Sequence, residues 1–186
     1  MITEALKVIN DEILIKPNYP IDDDGEPIFH APGKKSDIEC FYQKFYTTCE
    51  VTLNISRLQW VQEGQPVMRH LRDFEIKYYK EKSSEIYCIF IAPKIHDDTY
   101  STFWNSVKYE YDGKPQKIIP MTTDQFVLIL ETLLECINQD KILSHNELYS
   151  LCKHIVKKTK TLSGFSEWAV AIPKYINDWK SRIISS

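Results

Sequence analysis

The chain has 186 residues, 43% hydrophobic and 26% charged, which is the composition of one ordinary globular domain and excludes a disordered, collagenous or membrane-spanning chain. Its net charge of -3 comes from 23 Lys+Arg against 26 Asp+Glu, with no block of five like charges, which speaks against a free-standing electrostatic binder of nucleic acid. Five cysteines without Cys-x-x-Cys spacing, and a start of Met1-Ile-Thr-Glu with no basic and apolar leader, lead to the expectation of a reduced, cytoplasmic protein, monomeric when alone. The length supports one core, divided into 1–35 (helix and acidic loop), 36–121 (sheet core) and 122–186 (helical region).

Ala5, Leu6, Ile9, Ile13 and Leu14 recur at mixed spacings of three and four, predicting an amphipathic helix over 3–16. Pro17 to Lys35 holds four prolines, two glycines and the run Asp22-Asp23-Asp24, so it reads as a loop. The acidic run lacks the spacing of a calcium loop and fits a solvated turn. From Ser36 to Leu53 the chain is rich in Ile, Phe, Tyr, Thr and Val without Gly or Pro, predicting two strands joined at Gln43-Lys44. In that register Tyr42 pairs with Phe45, and Asp37 falls opposite Glu50 with Cβ atoms about 4.5–5.5 Å apart. Thr52 shares their face, while Ile38, Cys40, Cys49, Val51 and Leu53 form an apolar face on the other side.

Ile55 to Trp60 predicts a short helical turn, and Pro66 suits the first position of a second helix. Val67, Leu71, Phe74 and Tyr78 make its apolar stripe, leaving Arg69, His70, Arg72 and Asp73 off it. Glu85 to Ala92 is almost continuously apolar and closed by Pro93, as in a strand buried on both faces. A helix near 98–107, a loop at Asp112-Gly113, a strand over 117–121 and a helix capped by Thr122 or Thr123 follow. The box Ser144-x-x-Glu147 opens another helix, and Ser166 a last one that Pro173 must restart or kink. The class is α/β, a mixed central sheet flanked by helices with a helical C-terminal region.

Opposed carboxylates repel unless a cation lies between them. Phosphodiester hydrolysis needs such a cation, and Mg²⁺ takes one or two carboxylates with waters and substrate oxygens. Asp37 and Glu50 supply that pair. The competing reading is two acids on a solvated sheet face. Glu63, near a helix N-terminus, is favoured there electrostatically and also positioned to turn toward a metal or an attacking water. Other groupings are weaker. Cys152 and His154 with His145 match no zinc motif, and a buried free cysteine explains Cys152; His96-Asp97-Asp98 is explained by a cap from Asp97 or Asp98. No nucleophile elbow or phosphate-cradling loop is present.

Ser36-Asp37, twelve intervening residues and Glu50-Val51-Thr52 resemble the PD-(D/E)xK nuclease motif, with threonine in place of lysine. The words Cys49-Glu50-Val51-Thr52-Leu53, Ser56-Arg57, Glu63-Gly64-Gln65-Pro66-Val67-Met68-Arg69-His70 and Ile91-Ala92-Pro93-Lys94-Ile95-His96-Asp97-Asp98-Thr99 resemble the AlwI-like Type IIS restriction endonucleases and their nicking relatives, over roughly Ser36 to Leu134. The resemblance implies a restriction-endonuclease-like fold, with Asp37 and Glu50 as Mg²⁺ ligands, the Val51 carbonyl as a third oxygen, and Glu63 holding a metal-bound water or a second cation. Thr52 stands where a lysine would stabilise charge, and Arg57 and His70 are the accessory candidates. Because such relatives carry a separate DNA-recognition region not evident here, the expected role is that of the small cleavage subunit of a heterodimeric Type IIS enzyme. It would cut one DNA strand at a fixed offset from an asymmetric site read by a larger nicking partner, and reach double-stranded DNA through that partner, with little activity alone. Two other readings are a repair-type nicking endonuclease of the same fold and a non-catalytic assembly subunit, which the neutral Thr52 keeps open.

Overall fold

The computed structural model describes residues 2–9, 12–24, 27–29, 31–82, 85–141 and 146–185. Five strands form one sheet in the order β1-β2-β3-β4-β5: β1 Glu12–Pro17, β2 Ile38–Tyr42, β3 Tyr46–Val51, β4 Ile86–Ala92 and β5 Ile118–Thr122. The first three pair antiparallel, whereas β3 with β4 and β4 with β5 pair parallel. Seven α-helices lie among the described residues: α1 Ile2–Ile9, α2 Gln65–Lys77, α3 Tyr79–Lys82, α4 Asp97–Lys108, α5 Thr123–Asn138, α6 Glu147–Thr159 and α7 Phe165–Ser185.

The β2–β3 register is the one expected: Ile38 faces Cys49, Phe41 faces Tyr46, and the Tyr42 N–H donates to the Phe45 carbonyl at 3.0 Å across Gln43-Lys44. One sheet face carries Phe41, Thr48, Glu50 and Phe90, with Phe41 against Phe74 of α2 and Phe90 against Phe103 of α4. The other carries Cys40, Phe45, Cys49 and Tyr87, where Phe45 and Tyr87 pack on Tyr149 of α6. Every residue of β4 is buried, as its unbroken apolar run and two parallel neighbours require. The C-terminal helices interlock, with Trp168 of α7 against Tyr100 and Trp104 of α4. Thr122 caps α5 in a capping box with Gln125.

The structure corrects several expectations. The helix over 3–16 ends at Ile9, and Glu12–Pro17 join the sheet as an edge strand. The sheet therefore begins before residue 36. Ile13-Leu14-Ile15 is also a β-favouring run, and pairing with β2 overrides its helical spacing. Leu53 lies beyond the end of β3 and is 85% exposed, so the apolar face stops at Val51. Pro66 does sit in the first turn of α2, which begins at Gln65, but α2 is not a fresh start: helical backbone already runs from Leu58 through a π-helical segment, Trp60–Gly64, into it. That widened turn ends two residues before Pro66, so the proline's missing N–H falls at an already irregular junction. His96, not Asp97 or Asp98, caps α4 by accepting from the Asp98 N–H at 3.2 Å. Ser144 lies outside the described residues, and α6 follows Asn146 without a side-chain cap bond. α7 begins at Phe165 and passes Pro173 as one helix, its start held by Glu167, which accepts from the Ser163 N–H and hydroxyl.

Candidate active site

The site is built where β2 begins and β3 ends. Asp37 directly precedes β2, and its Oδ2 accepts from the Val51 N–H at 2.8 Å. Its own N–H points back to Glu50 Oε2 at 3.4 Å. Glu50 is on the penultimate residue of β3 and is only 5% exposed, which removes the reading of two acids on a solvated face. α2 roofs it, and His70 Nδ1 lies 3.0 Å from Glu50 Oε1. His70 was expected off the apolar stripe of α2; it and Arg72 are nevertheless buried, because each faces a buried acid.

The electrostatics follow from this enclosure. Burial pushes the Glu50 carboxyl up to about 7, and the Asp37 charge adds to that rise, while His70 and the Asp37 N–H oppose it. Glu63, on the π-helical segment, is also raised, by burial and then by the Asp37 charge; a hydrogen bond from the Thr52 hydroxyl opposes this. Burial alone would lower His70, but the Glu50 carboxylate and the Gly33 carbonyl hold it above its ordinary value. Both ring nitrogens face acceptors, Glu50 Oε1 at 3.0 Å and the Gly33 carbonyl at 3.5 Å. With Glu50 ionised the ring is therefore favoured as the cation.

Asp37, Glu50, Glu63, Thr52, Val51 and His70 are thus brought together. Arg57 is held elsewhere: its Nε lies 3.0 Å from Asp98 Oδ2 and its guanidinium over the Trp60 ring. Cys152 is buried while His154 points outward, and His145 lies outside the described residues. Among the described residues no three His, Cys, Asp or Glu side chains close into a ready-made metal cage. A cavity of about 300 Å³ between α6 and α7, lined in part by His154, Tyr175 and Arg182, shares no residue with the carboxylate group.

One supporting residue escaped the sequence reading. Gln59 is fully buried; its amide donates to the Asn54 and Lys94 carbonyls at 2.5 and 2.8 Å and accepts from the His96 N–H at 2.8 Å. It fixes the Thr52-to-Glu63 connection onto the loop after β4. A glutamine in a polar turn carries no signal of burial, so only the structure reveals it. Gly33 was likewise missed, because its role is that of a backbone carbonyl.

The AlwI restriction endonuclease family model matches residues 1–129. The chain belongs to the AlwI restriction endonuclease family. A solved chain, the small subunit (R.BspD6I2) of the heterodimeric restriction endonuclease R.BspD6I, shares the fold at a TM-score of 0.71 and 21% identity, over 98% of this chain and 87% of that one. No curated protein matches the chain. The restriction-endonuclease-like architecture that the family resemblance implied is the observed one, and the family match takes in the Asp37–Glu50 hairpin, the π-helical segment and α2.

Proposed function

We propose that this chain is the Mg²⁺-dependent nuclease subunit of a two-protein Type IIS restriction endonuclease of the PD-(D/E)xK kind. It hydrolyses one DNA strand at a fixed offset from an asymmetric site that a larger nicking partner recognises. The observation that carries this reading is the buried Glu50, across the hairpin from Asp37, gripped by His70 and near Glu63. Membership of the AlwI family and a fold shared with the small subunit of a heterodimeric enzyme support it.

Mg²⁺ fits the residues present. The donors are hard oxygens, and burial, with the Asp37 charge adding to it, holds Glu50 and Glu63 above their ordinary range. No closed cage is required, since Mg²⁺ keeps several waters and substrate oxygens. Asp37, Glu50 and the Val51 carbonyl would hold the ion, which when bound lowers the pKa of water and offsets phosphate charge. Glu63, fixed by the Thr52 hydroxyl, holds the attacking water and accepts its proton; a raised carboxyl suits a base working near neutral pH. Water adds to phosphorus as its proton passes to Glu63, the bond to O3′ breaks, and the departing O3′ takes a proton from solvent water, leaving 5′-phosphate and 3′-hydroxyl ends. Thr52 is neutral and cannot do what the usual lysine does. The cationic His70, bonded to Glu50, is the positive charge that takes its place.

The test is strand-resolved cleavage of a plasmid carrying asymmetric sites, in Mg²⁺, with this chain alone and with the larger partner. A cut by this chain only in the mixture, on the strand the partner leaves intact and lost in Glu50→Ala, is expected. Cutting that survives Glu50→Ala would transfer the chemistry to the partner and leave this chain an assembly subunit.

A further inference from the structure

Three exposed cations lie on the segments that lead to the carboxylates, Lys34 and Lys35 on the turn before Asp37 and Arg69 on α2 next to His70. Lys34 and Lys35 occupy a turn just before Asp37, where both backbone N–H groups donate to the Pro32 carbonyl at 2.7 and 3.0 Å. That turn is anchored at both ends. On one side Asn18 Nδ2 donates to the Ser36 carbonyl at 2.9 Å and the Asn18 N–H to the Asp37 carbonyl at 2.8 Å. On the other, the Gly33 carbonyl faces Arg69 Nη2 and His70 Nε2, each at 3.5 Å. Lys34, Lys35 and Arg69 are all exposed. None of the three makes an ion pair among the described residues, whereas Lys16, Arg57, Arg72, Lys114 and Arg182 each do.

Three clustered carboxylates in a chain of net charge -3 repel an approaching polyanion. A strand can settle over them only where local cations compensate, and such cations must be fixed relative to the acids. The turn at 32–35 meets both conditions, because Gly33 touches the residue that grips Glu50. We infer that Lys34, Lys35 and Arg69 form a track for the phosphodiester backbone of the strand to be cut, engaging phosphates that flank the scissile one. The inference rests on the nuclease reading above and adds to it the side from which the strand enters.

The test is the full-length triple variant K34A/K35A/R69A assembled with the larger partner, with cleavage of this chain's strand followed against salt concentration. Each lost phosphate contact lowers the log–log salt slope by about 0.9, so the slope should fall by roughly two to three and KM should rise on the order of tenfold, with kcat at saturating DNA and Tm unchanged. The charge-matched control K157A/K158A/K174A, on α6 and α7, should leave slope and KM as they are. An unchanged slope in the triple variant, or an equal change in the control, would overturn the track. A second readout needs no cutting: in a Glu50→Gln background, fluorescence anisotropy with a short duplex at low salt should show weaker binding once the three cations are removed. If cutting fails while this dependence persists, the nuclease reading is what has failed; equal binding with and without the cations removes the track.

Discussion

Helix α2 takes part in two buried acid–base pairs, its His70 with Glu50 of β3 at 3.0 Å and its own Arg72 with Glu75 at 2.5 Å. They share burial and a helix but differ in charge balance. Glu75 sees a second cation, Lys114 Nζ at 3.5 Å, and Arg72 also donates to the Tyr111 and Lys114 carbonyls. Burial still raises Glu75, with Arg72 and Lys114 pulling it back. Glu50 sees the reverse, acidic neighbours and one histidine, and rises to about 7. The first pair is complete as a piece of scaffold. The second lacks positive charge, and a group of oxygens lacking positive charge is what a hard cation completes.

The largest effects should separate the two pairs cleanly. Glu50→Ala is expected to lower this chain's strand cleavage by on the order of 10³-fold, while raising the metal-free Tm at pH 8, because a buried charge is removed. Arg72→Ala should do the opposite: it strands Glu75 in the interior and costs about 3–5 kcal/mol in urea unfolding. An equal loss of stability in both variants would erase the distinction.

His70→Gln should cut activity about 10- to 100-fold, as loss of a group orienting a ligand does, and move the acid limb of the pH–rate profile. The sign of the pH dependence is fixed by the folded values. Glu50, Glu63 and His70 are all held above their ordinary values, so the fold favours their protonated forms. Their stabilisation is full below the ordinary carboxylate range and is lost as pH rises through about 7. Mg²⁺ binding needs the Glu50 and Glu63 protons off. Differential scanning fluorimetry should therefore show the metal-free Tm falling from pH 5 to 8 and the Mg²⁺-induced rise in Tm growing over the same interval. A Mg²⁺ shift independent of pH would place the ion away from Glu50. The smallest effect belongs to Leu53→Ser, which at 85% exposure should change stability by less than about 0.5 kcal/mol.

Much of the catalytic hairpin was legible in the sequence. Gln43-Lys44 is the only break in a β-rich run, and once it is taken as the turn, period two places Asp37 against Glu50 without further assumption. What period two could not show was the roof. His70 lies outside the apolar stripe of α2, and nothing in one helix reveals that the surface opposite its polar side is a buried acid. The π-helical segment was unreadable for a related reason: Glu63-Gly64-Gln65-Pro66 carries two helix breakers, and the buried Gly64 there packs against α4, where an added Cβ would lie 3.6 Å from Thr102 Cγ2. The N-terminal error was a contest between two periods over Ile13-Leu14-Ile15, decided by the open edge of β2 rather than by local preference.

Arg72 grips the Tyr111–Lys114 turn while His70, two residues earlier, grips the hairpin. Two residues on a helix point about 200° apart, so α2 is clamped from opposite sides. Sliding it by a single residue, about 1.5 Å, would break both grips together. The height of the imidazole above Glu50 is therefore indexed by a turn on the far side of the helix, and a disturbance at Tyr111–Lys114 would be felt at the carboxylates as a change of alignment before it was felt as unfolding.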